Sequence, residues 1–199
     1  MTQRGKKIVI AVGGPGGSGI TTISKMIEEY YEIKHVYAGD LFRKAAKEKD
    51  IERFEEFLQQ ISKGGNSLDL EIDTLLEEYA NKGDIVIDSK IFGALAKVKN
   101  IPCNVSIWLD AKLNVKVKRH LDKENLKGLK RFKRYFEIRH NLKKRYRIDK
   151  EKYWRLYKIK YDKPELYYDI VLDTSNMNEL ETFDLILKKI KDGGHIKKQ

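Results

Sequence analysis

Residues 6–22 read KKIVIAVGGPGGSGITT, an apolar run that stops in five glycines, a serine and a pair of threonines. Ile8 to Val12 is unbroken and rich in β-branched side chains, the composition of a strand buried on both faces of a parallel sheet, and Gly13 ends it. From Gly14 the spacing is G-x-x-x-x-G-x-T, with Gly19 as the second fixed glycine and Thr21 at the hydroxyl position. Glycines let the backbone fold into a concave nest of inward-pointing N–H groups. A helix starting near Gly19 adds the positive end of its dipole, so a polyphosphate is held largely by main chain. The expected phosphate cradle is therefore Gly13, Gly14, Pro15, Gly16, Gly17, Ser18, Gly19, Ile20, Thr21 and Thr22. Ile20 stands where such loops usually carry Lys. An isoleucine offers no hydrogen bond to a β- or γ-phosphate, so another cation has to take over that charge.

Outward from the loop, Ile20 to Tyr31 has helical spacing, with Ile23, Met26 and Ile27 on one face. A short strand signal from Lys34 breaks at Gly39 into a new helix, for which Asp40 is the expected N-cap. Residues 41–82 read as helical and acidic, with an apolar stripe of Ile51, Phe54, Phe57, Leu58 and Ile61 and a break at Lys63-Gly64-Gly65-Asn66. Ser67 or Asp69 caps the next helix. Buried strands are expected at Asp84–Ile87 and Val105–Leu109, joined by a helix over 91–99. The closing helix, carrying Leu180, Phe183, Ile186 and Ile190, stops at Gly193-Gly194, leaving 195–199 as a frayed tail.

A chain of 199 residues with 41% hydrophobic content suits one domain with a real core. The single Cys103 excludes an intramolecular disulfide and, following Pro102, reads as a small buried hydrophobe. No signal pattern and no apolar run of about 18 residues is present, so a cytoplasmic location is expected. The four histidines share no metal-ligand spacing. The net charge of +11 is concentrated: residues 112–160 hold 20 Lys and Arg against 5 Asp and Glu. Such a block meets nucleotide phosphates, nucleic acid or water. Its aromatics, Phe132, Tyr135, Phe136, Tyr146, Tyr153, Trp154 and Tyr157, are expected to be mostly packed inside it.

GGPGGSGITT followed by HVYAGDLFRK resembles the archaeal-type cytidylate kinases, a branch of the P-loop nucleoside monophosphate kinases. The resemblance covers residues 6–110 and 153–190 and includes Glu71-Ile72-Asp73 and the strand Tyr168 to Ser175. It implies an α/β P-loop kinase-like domain: a parallel sheet of about five strands with helices on both faces, spanning 6–40, 83–120 and 161–192. To these are added an acceptor-binding insertion at 41–82 and a basic lid at 121–160. It implies ATP and Mg²⁺ as cofactors and CMP or dCMP as the phosphoryl acceptor. Ala38, Gly39, Arg43, Asp73 and Lys90 map to the acceptor site. Asp73 is weighed against a plain solvated helix face. Thr21 ligates the metal directly, and Asp88, at the tip of a strand beside the loop strand, orients its water shell. Lys90, Arg119 and Arg145 are the expected catalytic cations, with Arg139 and Arg147 competing near Arg145.

Three departures stand out: Ile20, Lys90 in place of an Arg, and an unfamiliar lid sequence. They keep two alternatives open, a nucleotide-dependent RNA-binding or ribosome-associated protein, and a kinase for another small acceptor. No membrane partner is expected.

Overall fold

The computed structural model describes residues 7–48 and 67–196. The expected apolar stripe from Ile51 to Ile61 and the break at Lys63–Asn66 lie outside the described residues. Five strands alternate with helices: β1 (Val9–Gly13), α1 (Ile20–Tyr31), β2 (Lys34–Tyr37), α2 (Ala38–Glu48), α3 (Ser67–Lys82), β3 (Ile85–Asp88), α4 (Phe92–Lys99), β4 (Val105–Asp110), α5 (Leu113–Leu121), α6 (Gly128–Tyr157), a 3-10 turn (Pro164–Leu166), β5 (Ile170–Asp173) and α7 (Glu179–Asp192).

All neighbouring strands are parallel, in the order β2-β3-β1-β4-β5. Successive side chains of a strand point to opposite faces, which is why an unbroken apolar run suits a sheet covered on both sides. Val9 and Ala11 face one core with Ile85, Ile87, Phe92, Leu95 and Leu76. Ile10 and Val12 face the other, with Ile107, Leu109, Ile23, Ile27, Phe183 and Ile186. Ile20 packs against this second core, so the residue that replaces the loop lysine contributes apolar contact there.

β1 is central. The chain leaves it towards β2 on one side and later passes from β3 to β4 on the other. That reversal opens a crevice beyond the carboxyl ends of the strands, where α/β proteins bind ligands.

Several expected boundaries shift. The first two buried strands each begin one residue later than expected, at Val9 and Ile85. Gly83 and Asp84 both take positive φ (75° and 55°), and the Ile8 N–H donates to Asp84 Oδ1 at 3.1 Å, so Asp84 belongs to the entry turn. Asp40 is not an N-cap: α2 already starts at Ala38, and Asp40 accepts from Arg43 Nε and Nη2 (3.1 and 2.7 Å) within the helix. α7 is capped by side chains: Asn178 and Glu181 form a reciprocal capping box that the sequence reading missed. Burial pushes the Cys103 thiol up to about 12, consistent with an inert packed group.

Candidate active site

Gly14, Gly17 and Gly19 all adopt positive φ (142°, 86° and 94°), the conformations that turn loop N–H groups inward. A Cβ on Gly14 would lie 2.0 Å from the Leu109 carbonyl oxygen, so the loop passes directly across the end of β4. α1 starts at Ile20, which aims its unpaired N–H groups into the same concavity.

The loop is braced from behind by a set that pattern-matching assigned no such task. Ser18 is buried and donates to Asp110 Oδ1 at 3.4 Å, which also accepts from Lys116 Nζ at 2.6 Å. Arg119 donates to the Thr174 carbonyl (2.8 Å), to Thr174 Oγ1 (3.0 Å) and to the Gly17 carbonyl (3.4 Å). His120 lies against Gly17, within 3.1 Å of where a Cβ would stand. Burial, with Lys123 and Arg145, holds its pKa below the ordinary histidine value. Arg119 therefore ties the phosphate loop to the turn after β5.

A cavity of about 320 Å³ opens beside the loop, lined by Thr21, Lys25, His35, Tyr37, Asp40 and Arg43. It unites the expected metal hydroxyl with the expected acceptor arginine. Lys25, one helical turn beyond Thr21, was not singled out from the sequence; the (i, i+4) spacing on α1 was the available signal. The Arg43 guanidinium sits 4.9 Å above the Tyr37 ring, and that ring occupies the space where a Gly39 Cβ would clash. Gly39 thus makes room for the side chain on which Arg43 rests, and Ala38 and Gly39 form the first turn of α2.

Asp88 aligns with Val12 and Tyr37 across the sheet, at the tip of β3 beside the loop strand. It is buried, and Oδ2 has no hydrogen-bond partner among the described residues; His35 Nε2 approaches it to 3.8 Å. An orphaned buried carboxylate oxygen beside a phosphate loop, with the Thr21 hydroxyl on the cavity wall, fits a hydrated Mg²⁺.

The basic lid is dominated by one 30-residue helix, α6. Its carboxyl-terminal half docks on the turn after β3 and on α3 through three contacts. Lys90 Nζ pairs with Asp149 Oδ2 at 2.5 Å, Lys152 Nζ pairs with Asp69 Oδ1 at 2.8 Å, and the Tyr157 hydroxyl donates to Asp73 Oδ2. Burial lowers the Lys90 pKa, opposed by Asp149 and reinforced by Arg145. The Arg145 charge also lowers the pKa of His120. Asp73 is buried rather than on a solvated face, which overturns the plainer expectation; burial raises its pKa to about 6, against the Tyr157 hydrogen bond. The expectation of mostly packed aromatics also fails in part: Phe132, Phe136 and Trp154 are exposed. Asp149 was missed because a lone carboxylate in a basic run carries no motif.

Among the described residues no helix is long and apolar enough to cross a membrane. A family model described as an AAA domain matches residues 12–133. The cytidylate kinase of Methanopyrus kandleri is 33% identical over 186 residues, covering 90% of this chain and 91% of that protein. The cytidylate kinase of Pyrococcus horikoshii is 35% identical over 180 residues, covering 90% and 86%. Among solved structures, shikimate kinase from Bacteroides thetaiotaomicron superposes with a TM-score of 0.58 at 13% identity, covering 94% and 99%, a likeness of fold. The sheet order, the glycine loop at its switch point and relatives aligned along nine-tenths of the chain agree, and the chain belongs to the cytidylate kinase family of P-loop phosphotransferases.

Proposed function

We propose that the chain transfers the γ-phosphate of ATP to CMP or dCMP, giving ADP and the diphosphate. The observation that carries this reading is the cavity that places Thr21 of the phosphate loop and Arg43 of the acceptor insertion on one wall. The loop nest and the α1 terminus bind the donor phosphates, and Arg119 with Thr174 holds the loop from the donor side. Thr21 and Asp88 hold Mg²⁺, which when bound neutralises charge on the phosphate oxygens.

Arg43 grips the acceptor phosphate, helped by the α2 terminus at Ala38 and Gly39. Lys90 and Asp73 complete the acceptor side, tied down by the docked half of α6. Arg145, whose charge acts on both Lys90 and His120, stabilises the charge that spreads over the transferred oxygens. Lys25 supplies the cation that Ile20 cannot: it lies one turn from Thr21, and helical side chains lean towards the amino terminus, where the γ-phosphate arrives. No general base is needed, since the acceptor is already an oxyanion and positioning supplies most of the rate.

A coupled assay for ADP release tests this, with Mg-ATP and, separately, CMP, dCMP, UMP, AMP and GMP, plus a control without acceptor. Turnover dependent on CMP or dCMP is expected. Turnover with another acceptor alone would move the substrate, and absence of acceptor-stimulated turnover in ATP-binding protein would remove the kinase assignment. The concentration of charge on α6 supports a nucleic-acid partner as well, developed next.

A further inference from the structure

The helix α6 carries two sets of cations on opposite sides. The cations Arg145 and Lys152 share one side with the carboxylate Asp149, and the docking contacts and the chemistry above account for them. At 100° per residue, the other side presents Leu129, Phe132, Phe136 and Trp154 together with Lys133, Lys143, Lys144 and Arg147. The apolar four are exposed at 70%, 62%, 53% and 49%. The four cations are exposed and make no ion pair among the described residues. From Leu129 to Trp154 this face runs about 38 Å along the helix.

Nothing in phosphoryl transfer requires that face. We propose that it binds single-stranded RNA. Unpaired cations at one- to two-turn spacing suit a phosphate backbone, and exposed rings between them suit unstacked bases. Phe132 and Phe136 already meet edge to face, with centroids 5.0 Å apart, and present themselves as a pair. Lys158 sits 5.6 Å over the Trp154 ring, adding a cation beside the third platform.

Two other occupants fit less well. On the helical wheel Lys143 lies between Phe132 and Phe136, so burying these rings in a bilayer would carry its ammonium with them. A second copy would oppose mostly like charges, since Lys133, Lys143, Lys144 and Arg147 outnumber Glu151 on this face. Single strands are the commoner state of RNA loops and ends, and a stacking surface selects them over duplex.

Fluorescence anisotropy with a labelled single-stranded RNA of about 12 nucleotides tests the proposal on the full chain. Four phosphate contacts predict a log–log salt slope near −2.8, so affinity falls about 50-fold between 50 and 200 mM salt. The triple variant K133Q/K143Q/K144Q should reduce that fall to about threefold. Phe132→Ala and Phe136→Ala should each weaken binding about tenfold. None of these changes should alter thermal unfolding, which checks the fold independently of kinase activity.

A triple variant with the wild-type salt slope, aromatic variants of wild-type affinity, or duplex RNA bound more tightly than single strand would overturn the assignment. So would phosphatidylserine vesicles binding where RNA does not. CMP-dependent turnover, measured separately, should survive in all of these variants; its absence from wild type would refute the kinase reading and leave the RNA result standing.

Discussion

The ion pair between Lys90 and Asp149 joins α6 to the turn after β3, the two regions that the proposed function assigns to lid and acceptor site, and it invites a double-mutant cycle. Lys90 ends the β3 turn, Asp149 lies 59 residues further along the chain, and their 2.5 Å approach fixes α6 to the sheet. At an effective dielectric near 20, unit charges that close attract by about 7 kcal/mol, much of which the desolvation of both groups cancels. Removing one partner is costlier than the net value of the pair, because the other charge stays behind; for buried pairs that cost is about 3–5 kcal/mol. Here the Asp149 side chain is 11% exposed and that of Lys90 32%, so water reaches the lysine and the lower end applies. Lys90→Met should therefore destabilise by about 2–3 kcal/mol, or about 4–12 °C in Tm for a chain of this size. Asp149→Asn should cost a similar amount, and the double variant less than the sum by at least about 1.5 kcal/mol. Urea unfolding of the four proteins at one pH and ionic strength measures the coupling. Acceptor KM is measured beside it, and both single variants should raise it. Additivity within about 0.5 kcal/mol would show that the pair does not tether the lid, and the reasoning would fail.

Three other outcomes follow from the geometry. Arg43→Ala should raise the acceptor KM about tenfold or more while leaving ATP affinity nearly intact, as steady-state kinetics with each substrate varied would reveal; unchanged acceptor kinetics would remove Arg43 from the site. Gly14→Ala places a methyl 2.0 Å from the Leu109 carbonyl oxygen at φ 142°, and should cost about 3 kcal/mol or more together with ATP binding, read by calorimetric unfolding and nucleotide titration. Asp73 has its pKa raised from 3.8 to about 6 by burial, so the folded state holds its proton more tightly than the unfolded state. The penalty is absent below about pH 3.8, grows as pH rises towards 6 and is complete above it, reaching about 3 kcal/mol. The Tm advantage of Asp73→Asn over wild type should accordingly grow between pH 4 and 6; a difference flat across that range would contradict the assignment.

What the chain declares locally and what it does not differ for physical reasons. β1, the glycine loop and α1 are legible because each depends on neighbours in sequence: a two-sided apolar strand, residues free to take positive φ, and a 3.6-residue stripe. The carboxylate tip at Asp88 was legible from its place at the end of a strand beside that loop, and Arg43 through the resemblance of its flanking residues to the family. Lys25 was overlooked because the replacement cation was sought in the lid, although a lysine that lines the cavity lay one turn along the same helix. Asp149 and the Asp110–Lys116 brace were not legible, since contacts 6 to 59 residues apart leave no local pattern. The aromatics of α6 were expected inside on composition alone. Which side of a long helix faces water is decided by the elements it packs against, and only those contacts separate Tyr153, buried at 7% exposure, from Trp154 at 49%.

The loss of the loop lysine changes where the positive charge comes from and therefore what controls it. A lysine at position 20 would be fixed in the loop whatever the lid did. Ile20 instead packs against the core beside Ile23 and Ile27, and firms the root of the helix whose terminus holds the phosphates. The cations that the proposed mechanism puts in the place of that lysine are of two kinds. Lys25 is carried by α1 and lines the cavity beside Thr21. Arg145 is carried by α6, and Lys90 pairs with that helix, which is held through Asp149, Lys152 and Tyr157. On the proposed mechanism, a variant that releases α6 should therefore keep nucleotide binding by main chain and lose turnover, which equilibrium nucleotide titration beside the coupled assay separates.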